Sequence, residues 1–109
     1  MSKPDPTDRL SLNSPSHRML VGALIDLRKG LGFSQARFAE VSGLTQSIIA
    51  KVEVLERRTE VELLEIWCEA CAVDPVAFLH DVRERVRKKQ RPPDYWWFTA
   101  DGQRRRRSD

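Results

Sequence analysis

The sequence predicts an all-α protein, a compact bundle of about five helices flanked by flexible tails. Across most of the chain, apolar residues recur three or four positions apart, which is the spacing of one helix face. No segment alternates apolar and polar residues convincingly, as a half-buried strand would. With 109 residues, 40% of them hydrophobic, the chain can build a single small core.

The first two helices are placed by their apolar faces and by the glycines that follow them. We expect the first helix from about His17 to Lys29 and a second, short helix capped by Ser34. Gly43 should end the second helix, because glycine readily adopts the left-handed backbone conformation of a tight turn. The residues expected to face the core are Leu20, Leu24, Leu27, Phe38 and Ala39.

The third helix has an outer face of small polar residues. Thr45 is suited to be its N-cap, with the hydroxyl accepting an otherwise unpaired backbone N–H. At about 100° per residue, Ile49, Val52 and Glu53 lie on one side. The opposite side carries Gln46, Ser47, Ala50, Lys51 and Val54. Such a face fits the major groove, where Gln, Ser and Lys side chains can bind base edges or phosphates. An ordinary solvated face would explain the polarity, but not the scarcity of long charged residues.

Two further helices are predicted in the second half of the chain. Thr59 and Glu62 match a capping box for the fourth helix, and Asp74 and Pro75 match the cap and first position of the fifth. One side of the fifth helix carries Val76, Leu79, Val82 and Val86. The fourth helix carries more apolar residues than one small core should cover. The residues in excess are Leu63, Ile66, Trp67 and Ala70. We therefore expect helices four and five to contribute to a homodimer interface; alternatively, the fifth simply folds over the fourth.

The predicted helical domain spans residues 17–90. Residues 1–16, rich in Pro, Ser, Asp and Asn, indicate a flexible leader. Residues 91–109 form an aromatic and basic tail that we expect to be partly disordered. In this tail, Tyr95 to Phe98 are candidates for packing on the domain or on a protein partner, and Arg104 to Arg107 for reaching DNA.

Charge is distributed unevenly along the chain. The net charge is +3, yet residues 59–82 hold six acids and no Lys or Arg, whereas residues 83–109 hold ten Lys or Arg against four acids. A basic pole favours a polyanionic partner, although solvated surface explains any single segment equally well. The longest apolar run, Met19 to Ile25, is too short to cross a bilayer. We expect a cytoplasmic protein.

Cys68 and Cys71 form the only C-x-x-C in the chain. Their place in a helical apolar pattern favours buried small hydrophobic residues over a redox pair or half of a zinc site. The sequence holds no second Cys pair, and His17 and His80 are remote in sequence. It also lacks a Ser/His/Asp pattern, a Gly-rich phosphate loop and an H-E-x-x-H motif, so we expect no enzyme activity, no metal and no cofactor.

Three segments together carry a family resemblance: LIDLRKGLGFSQARFAEVSGLTQSIIAKVE, ERRTEVELLEI and AVDP. Over about residues 20–79, the chain resembles the Cro/CI-type (XRE) helix-turn-helix family of phage and bacterial regulators. The resemblance implies a lambda-repressor-like fold in which the second and third helices form the DNA-binding unit. It also implies a sequence-specific double-stranded DNA-binding regulator, and it favours a repressor that binds a palindromic operator as a dimer. The alternative is a protein-interaction module, such as an antitoxin or anti-regulator, built on the same core.

The resemblance also assigns roles to individual residues. The phosphate-anchoring glutamine of the family corresponds to Gln35, and its frequent buried ion pair to Arg28 and Glu53. The base-reading positions correspond to Thr45, Gln46, Ser47 and Lys51, and the basic segment after the third helix to Arg57 and Arg58.

The chain departs from the family pattern at two positions. Leu55 replaces a frequent glycine after the third helix, which changes how that helix ends and where Arg57 and Arg58 are placed. Arg37 stands where the family often has an acid. A cation there is disfavoured by the helix dipole but favoured by a DNA phosphate, so Arg37 is either a further DNA contact or a tolerated surface substitution.

Overall fold

The computed structural model describes residues 11–88, which form five α-helices without a strand. They are α1 (Pro15–Gly30), α2 (Gln35–Ser42), α3 (Gln46–Glu53), α4 (Val61–Ala70) and α5 (Pro75–Arg87). The predicted all-α bundle is confirmed. None of these five helices is long and apolar enough to cross a membrane.

Side-chain caps start four of the helices. Ser34, Thr45 and Asp74 cap α2, α3 and α5 as predicted. The first helix begins at Pro15, two residues before the predicted start, because the Ser14 hydroxyl accepts the N–H of His17. Proline suits this first position, where its missing N–H would have no helical partner anyway. The predicted leader is therefore wrong for residues 15 and 16, while residues 1–10 lie outside the described part of the chain.

The fourth helix starts without the predicted capping box. Glu60 occupies the N-cap position and its side chain makes no capping hydrogen bond, so the helix begins at Val61. Thr59 lies one residue too early to cap, and its hydroxyl lies 3.3 Å from Nε2 of His17 instead. Glu62 does lie in the first turn, where a carboxylate is favoured by the helix dipole.

Three helices end in the same type of turn. In each of these turns, one residue adopts the left-handed backbone conformation. That residue is Gly32 after α1 (φ 77°), Leu55 after α3 (φ 65°) and Ala72 after α4 (φ 57°). Each turn is closed by two backbone hydrogen bonds of the Schellman type; after α3 they are Leu55 N to Val52 O at 3.1 Å and Glu56 N to Lys51 O at 2.8 Å. The third helix therefore stops at Glu53 although the usual glycine is absent.

One core lies between the helices, and Trp67 of α4 is at its centre. Its indole Nε1 donates to the carbonyl of Leu24 at 3.0 Å, and its ring lies 4.8 Å from that of Phe38. Leu63 and Trp67 are buried here, so the expectation that one core could not cover them is wrong. Val76 is 74% exposed, because Phe78 and Val82 form the buried side of α5. The burial of Leu63 and Trp67 removes the reason for a dimer interface that helix α4 offered, whereas Val76 leaves an apolar side chain of α5 uncovered.

Candidate nucleic-acid interface

Helices α2 and α3 form a helix-turn-helix around Gly43. This glycine ends α2 with φ at 81°, and Thr45 caps α3 two residues later. Phe38, Ile49 and Val52 are fully buried and attach the two helices to the core. The orientation of α3 is therefore fixed by the core, and its opposite face is exposed to solvent.

The exposed face of α3 presents Gln46, Ser47 and Lys51. The sequence predicted this arrangement from helical geometry. Within residues 11–88, none of these three side chains takes part in a hydrogen bond or an ion pair. They can therefore bind an external partner without giving up an internal contact.

Thr45 has a structural role at the start of the same helix. Its Oγ1 accepts the backbone N–H of Ile48 at 3.1 Å, which is the predicted N-cap bond. The oxygen is thus occupied as an acceptor, while the hydroxyl hydrogen can still be donated outward. Thr45 differs in this respect from Gln46 and Ser47, whose side chains have no capping role.

The predicted ion pair between Arg28 and Glu53 is confirmed, and it includes Gln35. Arg28 donates Nε to Oε2 of Glu53 at 2.6 Å, Nη2 to Oε1 at 2.9 Å, and Nη1 to the carbonyl of Phe33 at 2.5 Å. The Nε2 group of Gln35 donates to Oε1 of Glu53 at 3.0 Å. This network joins α1, α2 and α3 and satisfies a carboxylate that is almost completely buried.

Two of the candidate phosphate-binding arginines have acidic partners on the protein surface. Arg37 binds Glu40 at 2.7 Å, and Arg57 binds Glu60 at 3.2 Å. All four side chains are at least 41% exposed, so both ion pairs are weak and exchangeable. Neither acid was among the predicted site residues, although opposite charges three positions apart are a usable signal in the sequence.

The backbone of Arg57 completes the end of α3. Its N–H bonds the carbonyl of Lys51 at 3.2 Å, so the residue directly follows the turn at Leu55. Arg58 lies in different surroundings, in a groove between α1 and α5 that His17 also lines. Burial lowers the pKa of His17, and the positive charge of Arg58 lowers it further against the opposing effect of the hydrogen bond to Leu12.

The two cysteines are buried, as the sequence predicted. Desolvation raises the pKa of Cys68 to about 11, and burial raises the pKa of Cys71 as well. Both thiols are therefore protonated near neutral pH. In the part of the chain that the structure describes, no three His, Cys, Asp or Glu side chains come together as metal ligands.

A family model described as helix-turn-helix matches residues 24–78, which is half of the chain and includes α2, α3 and α4 entirely. The chain belongs to the Cro/CI-type helix-turn-helix family. This is a family of DNA-binding transcription regulators. Searches of curated proteins and of solved structures gave no significant match.

Proposed function

We propose that this helix-turn-helix protein is a sequence-specific double-stranded DNA-binding transcription regulator that inserts α3 into the major groove. The observation that carries the proposal is the exposed face of α3, where Gln46, Ser47 and Lys51 have no partner within residues 11–88. Amide and hydroxyl groups at the start of a recognition helix can read the donors and acceptors of base edges. We further propose repression as the outcome, by occupation of an operator.

The proposed interface divides into base-reading and phosphate-binding residues. Gln46 and Ser47 read bases, Lys51 reaches a base or a phosphate, and Thr45 positions the helix while donating outward. The proposed phosphate contacts are Gln35, Arg37, Arg57 and Arg58. Arg37 and Arg57 would exchange their exposed carboxylate partners for phosphates, which is inexpensive because surface ion pairs contribute only about 0–1 kcal/mol.

A homodimer on a palindromic operator is the proposed assembly. Val61, the first residue of α4, is 70% exposed, and Val76, near the start of α5, is 74% exposed. These two valines support an interface made by helices α4 and α5. Two-fold symmetry would pair two copies of α3 with two half-sites. Sedimentation equilibrium of the wild type and of Val76→Asp tests this assembly, and equal masses for the two proteins would contradict it.

The test of DNA recognition begins with genomic fragments selected by the purified protein and sequenced. The preferred duplex and a scrambled duplex are then titrated at several salt concentrations. We expect Gln46→Ala with Ser47→Ala to lose preference for the selected sequence, since each good base contact contributes about 1–3 kcal/mol of discrimination. We expect Arg37→Ala with Arg57→Ala to weaken binding to both duplexes and to reduce the salt slope by about one unit per lost contact.

Two results would contradict parts of this proposal. Full preference in the Gln46 and Ser47 double variant would show that α3 does not read the sequence. A wild type that prefers no genomic fragment would favour the alternative, a protein-interaction module such as an antitoxin or anti-regulator.

A further inference from the structure

A groove of about 360 Å³ lies between α1 and α5, on residues that the proposed DNA interface does not use except for Arg58. Leu20 of α1 forms its apolar floor together with Leu79, Val82 and Val86 of α5. Arg58, Arg83 and His17 supply polar and cationic groups around it. Leu79 is 44% exposed, so part of the apolar surface of this groove is left uncovered.

We propose that the chain's own aromatic segment, Tyr95 to Phe98, docks in this groove. The segment lies outside the described residues, and its four consecutive aromatic side chains are the largest apolar cluster that the rest of the chain provides. The groove is near the lower end of the ligand-pocket range of about 300–1,000 Å³, so it has room for one or two rings. This docking does not depend on DNA binding.

The length of the intervening chain permits this contact. Tyr95 follows Lys88, the C-cap of α5, by seven positions, which an extended chain spans over roughly 23–25 Å. Leu79 lies nine helical positions before Lys88, a distance of about 14 Å. The aromatic segment can therefore return along α5 to any of the three apolar groove residues on that helix. Pro92 and Pro93 favour such a return, because proline cannot continue a helix.

Charge also favours this occupant. Asp94 immediately precedes the aromatic residues, while Arg58 and Arg83 line the groove. Among residues 11–88, Arg83 forms no ion pair, so a carboxylate from the aromatic segment would supply one. The leader also approaches the groove, through Ser11, but its large apolar residues are Met1, Leu10 and Leu12, none of them aromatic. The aromatic segment buries far more apolar area.

Tryptophan fluorescence of the full chain tests the proposal. Trp67 is fully buried, so acrylamide quenching of the emission reports mainly on Trp96 and Trp97. We expect the wild type to be partly protected from acrylamide. Leu79→Asn should remove this protection and shift the emission to longer wavelength. The matched control is His80→Asn, which places the same side chain on the neighbouring exposed residue outside the groove and should leave quenching unchanged.

Other outcomes would overturn the proposal. If acrylamide quenches the wild type as strongly as the denatured chain, the aromatic segment is not docked. If it quenches Leu79→Asn and the wild type equally, the groove is not the docking site. Protection that disappears on dilution would indicate a second copy as the occupant. Protection lost on deletion of residues 1–10 but kept in Leu79→Asn would assign the contact to the leader.

A second measurement on the wild type keeps the proposal testable if a variant unfolds. We expect nuclear Overhauser effects between the Leu79 or Val86 methyl groups and the rings of Tyr95 to Phe98. In an equal mixture of labelled and unlabelled chains, these signals should arise within one chain. Their absence in a folded sample, or their appearance only between chains, contradicts intramolecular docking.

Discussion

Arg28 of α1 binds both carboxylate oxygens of Glu53 in α3, at 2.6 and 2.9 Å, inside a nearly closed site. The arginine side chain is 8% exposed and the glutamate side chain 3% exposed. Two parallel N–H···O bonds of this kind add geometric specificity to the strength of an ion pair. The contact fixes α3 to α1.

Breaking this pair from one side is expected to be strongly destabilising. Arg28→Ala leaves the buried Glu53 carboxylate without its main partner, which costs about 3–5 kcal/mol. Lys29→Ala, at the adjacent exposed position, should change the free energy of unfolding far less. Urea denaturation of both variants measures the difference. Equal midpoints would show that the pair contributes little to folding.

Removing the acidic partner of Arg37 should strengthen DNA binding. Glu40→Gln abolishes the ion pair at 2.7 Å and frees the guanidinium for a phosphate. Affinity for any duplex should then rise, and the salt slope should steepen by up to about one unit. Glu69→Gln removes the same charge from an exposed position on α4 and is the control. If the two variants bind alike, Arg37 does not contact the phosphate backbone.

Glycine should have opposite effects at Leu55 and Ala72, the two non-glycine residues within positions 11–88 that have a positive φ. At Ala72, which is exposed, relief of left-handed strain outweighs the added freedom of the unfolded chain, so we expect Ala72→Gly to stabilise by about 0.5–1 kcal/mol. Leu55 is only 8% exposed, and losing its side chain costs about 2–5 kcal/mol, which exceeds the relief. Thermal unfolding of both variants measures these changes in stability. A Leu55→Gly variant that is more stable than the wild type would contradict the expected difference.

Acidification should destabilise the protein through His17. Its folded pKa lies below the ordinary value of 6.5, so the native state favours the neutral ring. Nδ1 lies 2.7 Å from the carbonyl of Leu12, which assigns the N–H there and leaves Nε2 to accept from Thr59. As pH falls below 6.5, the unfolded chain binds the proton first, so stability is complete above this pH and declines below it.

The measurement is the free energy of unfolding as a function of pH. His17→Gln should flatten the decline just below pH 6.5, whereas His80→Gln, at an exposed position, should retain it. A decline that is identical in the wild type and in His17→Gln would assign the acid sensitivity to other groups.

The cysteines should react only when the chain opens. With the pKa of Cys68 at about 11 and that of Cys71 raised, the reactive thiolate is scarce and inaccessible near neutral pH. Ellman's reagent should therefore modify both thiols slowly in buffer and rapidly in denaturant. Stoichiometric zinc in the purified protein, lost in Cys68→Ser, would overturn the assignment of these residues to packing.

Helical periodicity and capping chemistry were sufficient to predict most of the architecture. Thr45 and the outward face of α3 follow from a short-range rule, the angular spacing of side chains on a helix. The pairing of Arg28 with Glu53 came from the family resemblance, because no local pattern relates residues 25 positions apart.

The predictions from the sequence were wrong or incomplete where tertiary contacts determine local structure. Thr59 fits a capping pattern, but it lies beside His17 of a distant helix. Trp67 and Leu63 were expected to need a partner surface. This prediction failed because a linear pattern does not reveal the volume that five packed helices can enclose. The contact between Gln35 and Glu53 was likewise missed, since it depends on how α2 and α3 cross.

Gln35 donates to the same carboxylate that Arg28 holds, and this sharing limits how such a regulator can evolve. A substitution at Glu53 alters folding and the position of a candidate phosphate contact together, so selection on either property acts on both. Gln46, Ser47 and Lys51 support no internal contact within residues 11–88, and they can change without that penalty. Under the proposed reading of DNA by α3, a lineage can therefore acquire a new DNA target while the network around Glu53 stays fixed.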